Sequence, residues 1–141
     1  MSTLIKILKD AKSTFVEIIP EKMQNYYKYL YNLDELIIHL NDKDISDEDA
    51  ISKFNSITQS FYIEDMSMIM ESAEKYLKSI GYERINSKES KYFKNLYCEG
   101  PGEDEYNEDD YVITTILAPA YKLNMYGEEY ILKGECVYTR K

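Results

Sequence analysis

The chain has 141 residues, with 26 Asp and Glu against 17 Lys and Arg and a formal net charge of -9. A surface this acidic repels phosphate backbones and anionic bilayers, which excludes nucleic acid and membranes as expected partners. The length predicts a single domain, or one elongated chain with a small globular end.

The opening stretch, MSTLIKILKDAKSTF, scatters Lys6, Lys9, Asp10 and Lys12 among its apolar residues and so holds no signal-peptide core. No later run has the length of a membrane span. Residues 3–41 are predicted to form one long helix. Its apolar side chains fall at Leu4, Leu8, Ala11 and Phe15, then at Ile19, Met23, Tyr26, Leu30, Leu33, Ile37 and Leu40. Steps of four and three are heptad spacing, so the narrow stripe predicts a seam against the same helix of a second copy, a homodimer. Packing of two amphipathic helices within a monomer is the alternative. Pro20 removes a backbone donor and clashes with the preceding turn, so a kink or break is expected there.

The polar stretch NDKDISDEDA interrupts the pattern. Ser46 followed by Asp49 has the form of a capping box, and a second helix is expected from about Asp47. Ile51, Phe54, Ile57 and Phe61, then Met66, Ile69, Met70, Ala73, Tyr76, Leu77 and Ile80, continue the helical spacing with a break between 60 and 65. Met66 and Met70 lie on the apolar stripe and Met68 lies off it, which reads as bundle core rather than a methionine-lined groove. Gly81 is placed to end the helix in the left-handed conformation.

Beyond Gly81 the period changes to that of strands. YFKNLYCEG, DYVITTILA and EYILKGECVYTR are rich in aromatic and β-branched residues, the last alternating through Ile131, Lys133, Glu135 and Val137. Gly127 in NMYGEEY supplies the positive φ of a hairpin turn. Residues 99–110, EGPGEDEYNEDD, read as an exposed loop, and no register of their carboxylates matches an EF-hand. The predicted class is therefore α+β: a long coiled-coil-like helix and helical bundle over residues 1–81, then a small β-sheet wing over 82–141.

Chemistry-bearing groups are sparse. His39 is the only histidine and lies beside the seam with no motif to make it a base. Cys98 and Cys136 fit neither a zinc site nor a disulfide framework, and a reducing cytoplasm is the expected compartment. No phosphate loop or nucleophile elbow occurs, so no enzyme, cofactor or metal is predicted.

Tyr121, Lys122, Leu123 and Asn124, a hairpin, and then residues 131–138 resemble the C-terminal signature of the GrpE nucleotide exchange factors. YLKSIGYERI is similar to that family's exit from the bundle helix, and YLYNLDELIIHL to part of its long helix. The resemblance implies a dimer of parallel helices with one wing per subunit pressed on the ATPase domain of a DnaK-type chaperone, favouring ADP release. It also implies site residues: Lys133, where the family has arginine, as the charged contact; Lys122 and Asn124 on the wing surface; Tyr121 fixing the turn; and Gly134 in the place of a proline. A dimeric scaffold that binds another protein is the second reading.

Overall fold

The computed structural model describes residues 3–85, 96–97 and 110–141. The chain divides into two compact units, Met1–Tyr82 and Glu83–Lys141. The first is helical and the second is built from antiparallel strands.

In the helical unit, α1 spans Thr3–Ile18 and α2 spans Tyr26–Asn41. The single helix expected over 3–41 is thus two helices of 16 residues each. The ring of Pro20 ends the first. Ile19 still donates to the Phe15 carbonyl at 2.9 Å, after which Met23 donates to the Pro20 carbonyl at 3.1 Å and turns the chain. Helix α2 returns along α1, tied by the Lys12 ammonium to the Asp34 carboxylate at 2.6 Å.

The apolar stripe consequently faces inward. Leu4, Leu8, Phe15, Ile19, Tyr26, Leu33, Ile37 and Leu40 are buried within one chain; Met23 and Leu30 are half-buried. Of these ten positions, expected from their spacing to form an intermolecular seam, eight are already covered without a second copy. Helix–helix packing inside a hairpin uses the same three- and four-residue steps as a coiled coil, so the spacing does not distinguish the two.

Helix α3 spans Asp47–Glu64, and the Asp49 amide donates to the Ser46 hydroxyl at 3.1 Å, the expected N-cap. It ends at Glu64, a single 3₁₀ turn covers Met66–Met68, and α4 runs Met70–Ser79. Met66 is buried and Met68 is 80% exposed, as their positions relative to the stripe require. At the end of α4, Gly81 has φ of 106°, its amide donates to Lys78 and the Tyr82 amide donates to Leu77, a Schellman motif. Helix α2 closes the same way with Lys43 in the left-handed position at φ of 59°.

The core of this unit is aromatic. Phe15 is fully buried, with ring centroids 4.9 Å from Tyr26, 4.6 Å from Tyr29, 5.3 Å from Phe61 and 5.4 Å from Tyr76. Tyr29 needs polar partners at this depth. Its hydroxyl is hydrogen-bonded to Thr58 Oγ1 and to the Tyr76 hydroxyl, both at 2.9 Å. Tyr82 donates to Asn55 Oδ1 at 2.7 Å.

In the β unit, β1 spans Glu83–Ile85, β2 Tyr111–Ala118, β3 Ala120–Met125, β4 Glu128–Leu132 and β5 Glu135–Arg140. One sheet has the order β1-β3-β4 and the other pairs β2 with β5. The two are one long hairpin bent across its middle, since Tyr121 pairs with Leu132 and, one step beyond Pro119, Ala118 pairs with Glu135. Proline donates nothing to a ladder and tolerates the bend. The alternating stretch EYILKGECVYTR forms two short strands in different sheets, parted at Lys133 and Gly134. Leu96, Tyr97, Ile113, Ala120 and Cys136 form this unit's core cluster. The strand expected from YFKNLYCEG is described only at Leu96 and Tyr97, where Tyr97 bridges Gly134. Cys98 and the loop at 99–109 lie outside the described residues.

Burial pushes the Tyr29 hydroxyl up to about 12, and those of Tyr76 and Tyr82 well above the ordinary tyrosine value of 10. A group whose folded value is raised contributes its full stability below the unfolded value and loses it as pH climbs through the folded one. The contribution of these tyrosines to the unfolding free energy should therefore hold steady up to about pH 10 and then fall toward pH 12 by roughly 1.4 kcal/mol per pH unit per buried tyrosine. Urea unfolding followed across that window checks this, and a flat profile would contradict it.

Candidate functional site

The residues singled out by sequence converge on β3 and the link after β4. Strand alternation divides them. Tyr121 and Leu123 are buried on one face, paired with Leu132 and Tyr130. Lys122 and Asn124 point to the other face, paired with Ile131 and Glu129. Lys122 is half-buried and Asn124 exposed, on a face whose other end, at Ala120, belongs to the Leu96 and Tyr97 core. Lys122 lies 3.9 Å from the Glu83 carboxylate, a solvent-screened pair of little energetic weight. Lys133 is half-buried in the link between β4 and β5.

Gly134 has a geometric role. A Cβ built there would lie 2.0 Å from the Ala118 carbonyl oxygen and 2.7 Å from the Pro119 carbonyl carbon. Its amide donates to the Leu96 carbonyl at 2.9 Å. Both arms of the bent hairpin touch at this point, and only a hydrogen fits between them.

The tip of the hairpin carries a feature the sequence reading passed over. Met125 pairs with Glu128, leaving Tyr126 and Gly127 as a two-residue turn. Their φ values are 53° and 78°, the positive pair of a type I′ turn. Such a turn favours Asn-Gly, because a left-handed residue with a Cβ and a bulky ring costs energy. Here the first position is a tyrosine, 52% exposed. Around it Asn124, Glu128 and Glu129 are exposed, so the tip offers a phenol, an amide and two carboxylates. The available signal was the dipeptide Tyr-Gly where Asn-Gly is the usual choice.

Other groups are less organised for chemistry. The His39 Nδ1 lies 3.0 Å from Asp44 Oδ1 and the ring is half-exposed. Burial pushes the Cys136 thiol up to about 11, which suppresses the reactive thiolate. Among the described residues no three His, Cys, Asp or Glu side chains are grouped to hold a metal ion. None of the described helices is long and apolar enough to cross a membrane. Comparisons with family models, curated proteins and solved structures find no match to this chain.

Replacing Gly134 with Ala should open the bend and lower the unfolding free energy by about 1–3 kcal/mol. Urea denaturation read by amide chemical shifts in β2 to β5 measures it; a wild-type midpoint would show that the two arms do not meet as described.

Proposed function

We propose that this protein is a binding module that presents the β3–β4 hairpin tip to a protein partner. The observation that carries this reading is the half-exposed tyrosine held at positive φ. The backbone of a type I′ turn is met by Asn at this position at lower conformational cost, so the turn geometry alone does not call for the ring. Strain retained at an exposed aromatic is the pattern of a contact residue, and tyrosine is among the side chains that dominate binding energy at interfaces. Glu128 and Glu129 beside it, on a chain of net charge -9, suit a partner with a basic rim around an aromatic-sized recess.

The narrower reading, a GrpE-like factor promoting ADP release from a DnaK-type chaperone, is favoured by the likeness of residues 121–138 and by the hairpin that contains Tyr121, Lys122, Leu123 and Asn124. Its contact residues would be Lys133, Lys122 and Asn124. A homodimer in that reading needs a surface other than the covered stripe of α1 and α2.

Two measurements separate these outcomes. Tyr126→Asn should raise the unfolding free energy by about 1 kcal/mol while weakening capture of the partner from extracts of the source cell. A more stable variant that captures the partner as well as wild type removes the tip from the site. For the narrower reading, micromolar protein should speed release of a fluorescent ADP from the source organism's DnaK-type chaperone, and Lys133→Ala should slow it. An unchanged release rate rejects nucleotide exchange and leaves the binding module standing.

A further inference from the structure

The outer side of the α1–α2 hairpin carries apolar groups that the helical core does not use. Val16 on α1 and Tyr27, Tyr31 and Ile38 on α2 are exposed, the two tyrosines at 62% each. Steps of four and then seven keep Tyr27, Tyr31 and Ile38 on one face of α2. Asp34 lies on the same face, three residues after Tyr31 and four before Ile38, and its carboxylate holds the Lys12 ammonium of α1. A depression lined by Lys9, Ser13, Val16 and Ile37 runs along this junction of the two helices.

This side of the molecule is also where the acidic excess vanishes. Up to Asn41 the chain holds five lysines against five Asp and Glu, so the whole net charge of -9 lies beyond it. The charged groups of α1, namely Lys6, Lys9, Asp10, Lys12 and Glu17, come with Asp34 to three of each sign. Two copies of so acidic a chain repel each other over most of their surface, and that repulsion is absent here.

The face is self-complementary about its middle. Lys9 and Glu17 lie four residues either side of Ser13, and all three are exposed. Neither Lys9 nor Glu17 makes an ion pair among the described residues. Tyr31 and Ile38 lie on either side of Asp34, which the Lys12 pair holds beside Ser13. A two-fold axis at this level, perpendicular to the helices, lays α1 on α1 and α2 on α2 in antiparallel sense. Lys9 of each copy then faces Glu17 of the other, and Tyr31 faces Ile38.

We infer that this face binds a second copy of the chain, as an antiparallel two-fold dimer centred on Ser13. The exposed tyrosines supply contact area, and the two Lys9–Glu17 pairs set the direction. In a parallel dimer in register, Lys9 would oppose Lys9 and Glu17 would oppose Glu17. The contact is distinct from the aromatic stripe, which each copy buries internally, and is independent of what the hairpin tip holds.

Sedimentation equilibrium of the full chain at concentrations up to about 0.5 mM, with charge reversals at these exposed positions, tests this. Wild type should dimerise. Lys9→Glu alone and Glu17→Lys alone should each weaken the dimer about tenfold, because two attractive pairs become repulsive. Both changes in one chain should restore it, and an equimolar mixture of the two single variants should form a mixed dimer more tightly than either forms with itself. A monomer at every concentration, single variants as dimeric as wild type, or no recovery in the double variant and the mixture would overturn the inference.

Discussion

The helical unit depends on burying Phe15 and Tyr29 against each other. Phe15 packs against rings from α2, α3 and α4, so one side chain holds the α1–α2 hairpin on the rest of the unit. Aromatic pairs at these separations contribute about 0.5–1.5 kcal/mol each beyond area burial. A hydroxyl at that depth is tolerable only when bonded, and Tyr29 is bonded twice. The two bonds reach α3 and α4, so the polar atom that threatens the core also fixes which helices surround it. Tyrosine is abundant here, and Tyr26, Tyr29, Tyr62, Tyr76 and Tyr82 serve as core residues rather than as an aromatic surface.

The β unit is governed by a different constraint, the bend of its long hairpin. Pro119 on one arm and Gly134 on the other meet at a separation that admits no side chain. On one side of the bend β3 and β4 accept β1 as a third strand, and on the other β2 and β5 pair alone among the described strands. The short, tightly paired turn at Tyr126 and Gly127 then projects an aromatic ring from a stiff support. Stiffness matters for binding, because a side chain held in place loses less freedom when a partner closes on it.

Much of this was legible in the residues. Ser46 with Asp49, the break near 60–65, Gly81 and Gly127 each announce a local geometry through a specific hydrogen bond or φ requirement, and each is found where expected. The fate of the apolar stripe was not legible, because three- and four-residue steps describe a helix buried against its own neighbour as well as one buried against another chain. Pro20 marked the break, but a break alone does not say that the chain reverses. Gly134 looked like a substituted contact residue; its role depends on Ala118, sixteen positions earlier, which no local pattern connects to it. Tyr126 was hidden for the opposite reason, since its strain is visible only once its φ is known.

The reversal at Pro20 is the central claim, since it decides whether the aromatic stripe is spent within the chain. Nitroxide labels introduced at Lys6→Cys and Asn41→Cys, in a chain with Cys98 and Cys136 replaced by Ser and diluted with unlabelled protein, report the distance between the outer ends of α1 and α2. A helical hairpin with an interaxial spacing of roughly 8–10 Å places the labels within about 25 Å of each other. A continuous helix at about 1.5 Å per residue would hold them about 50 Å apart, and that distance would contradict the account.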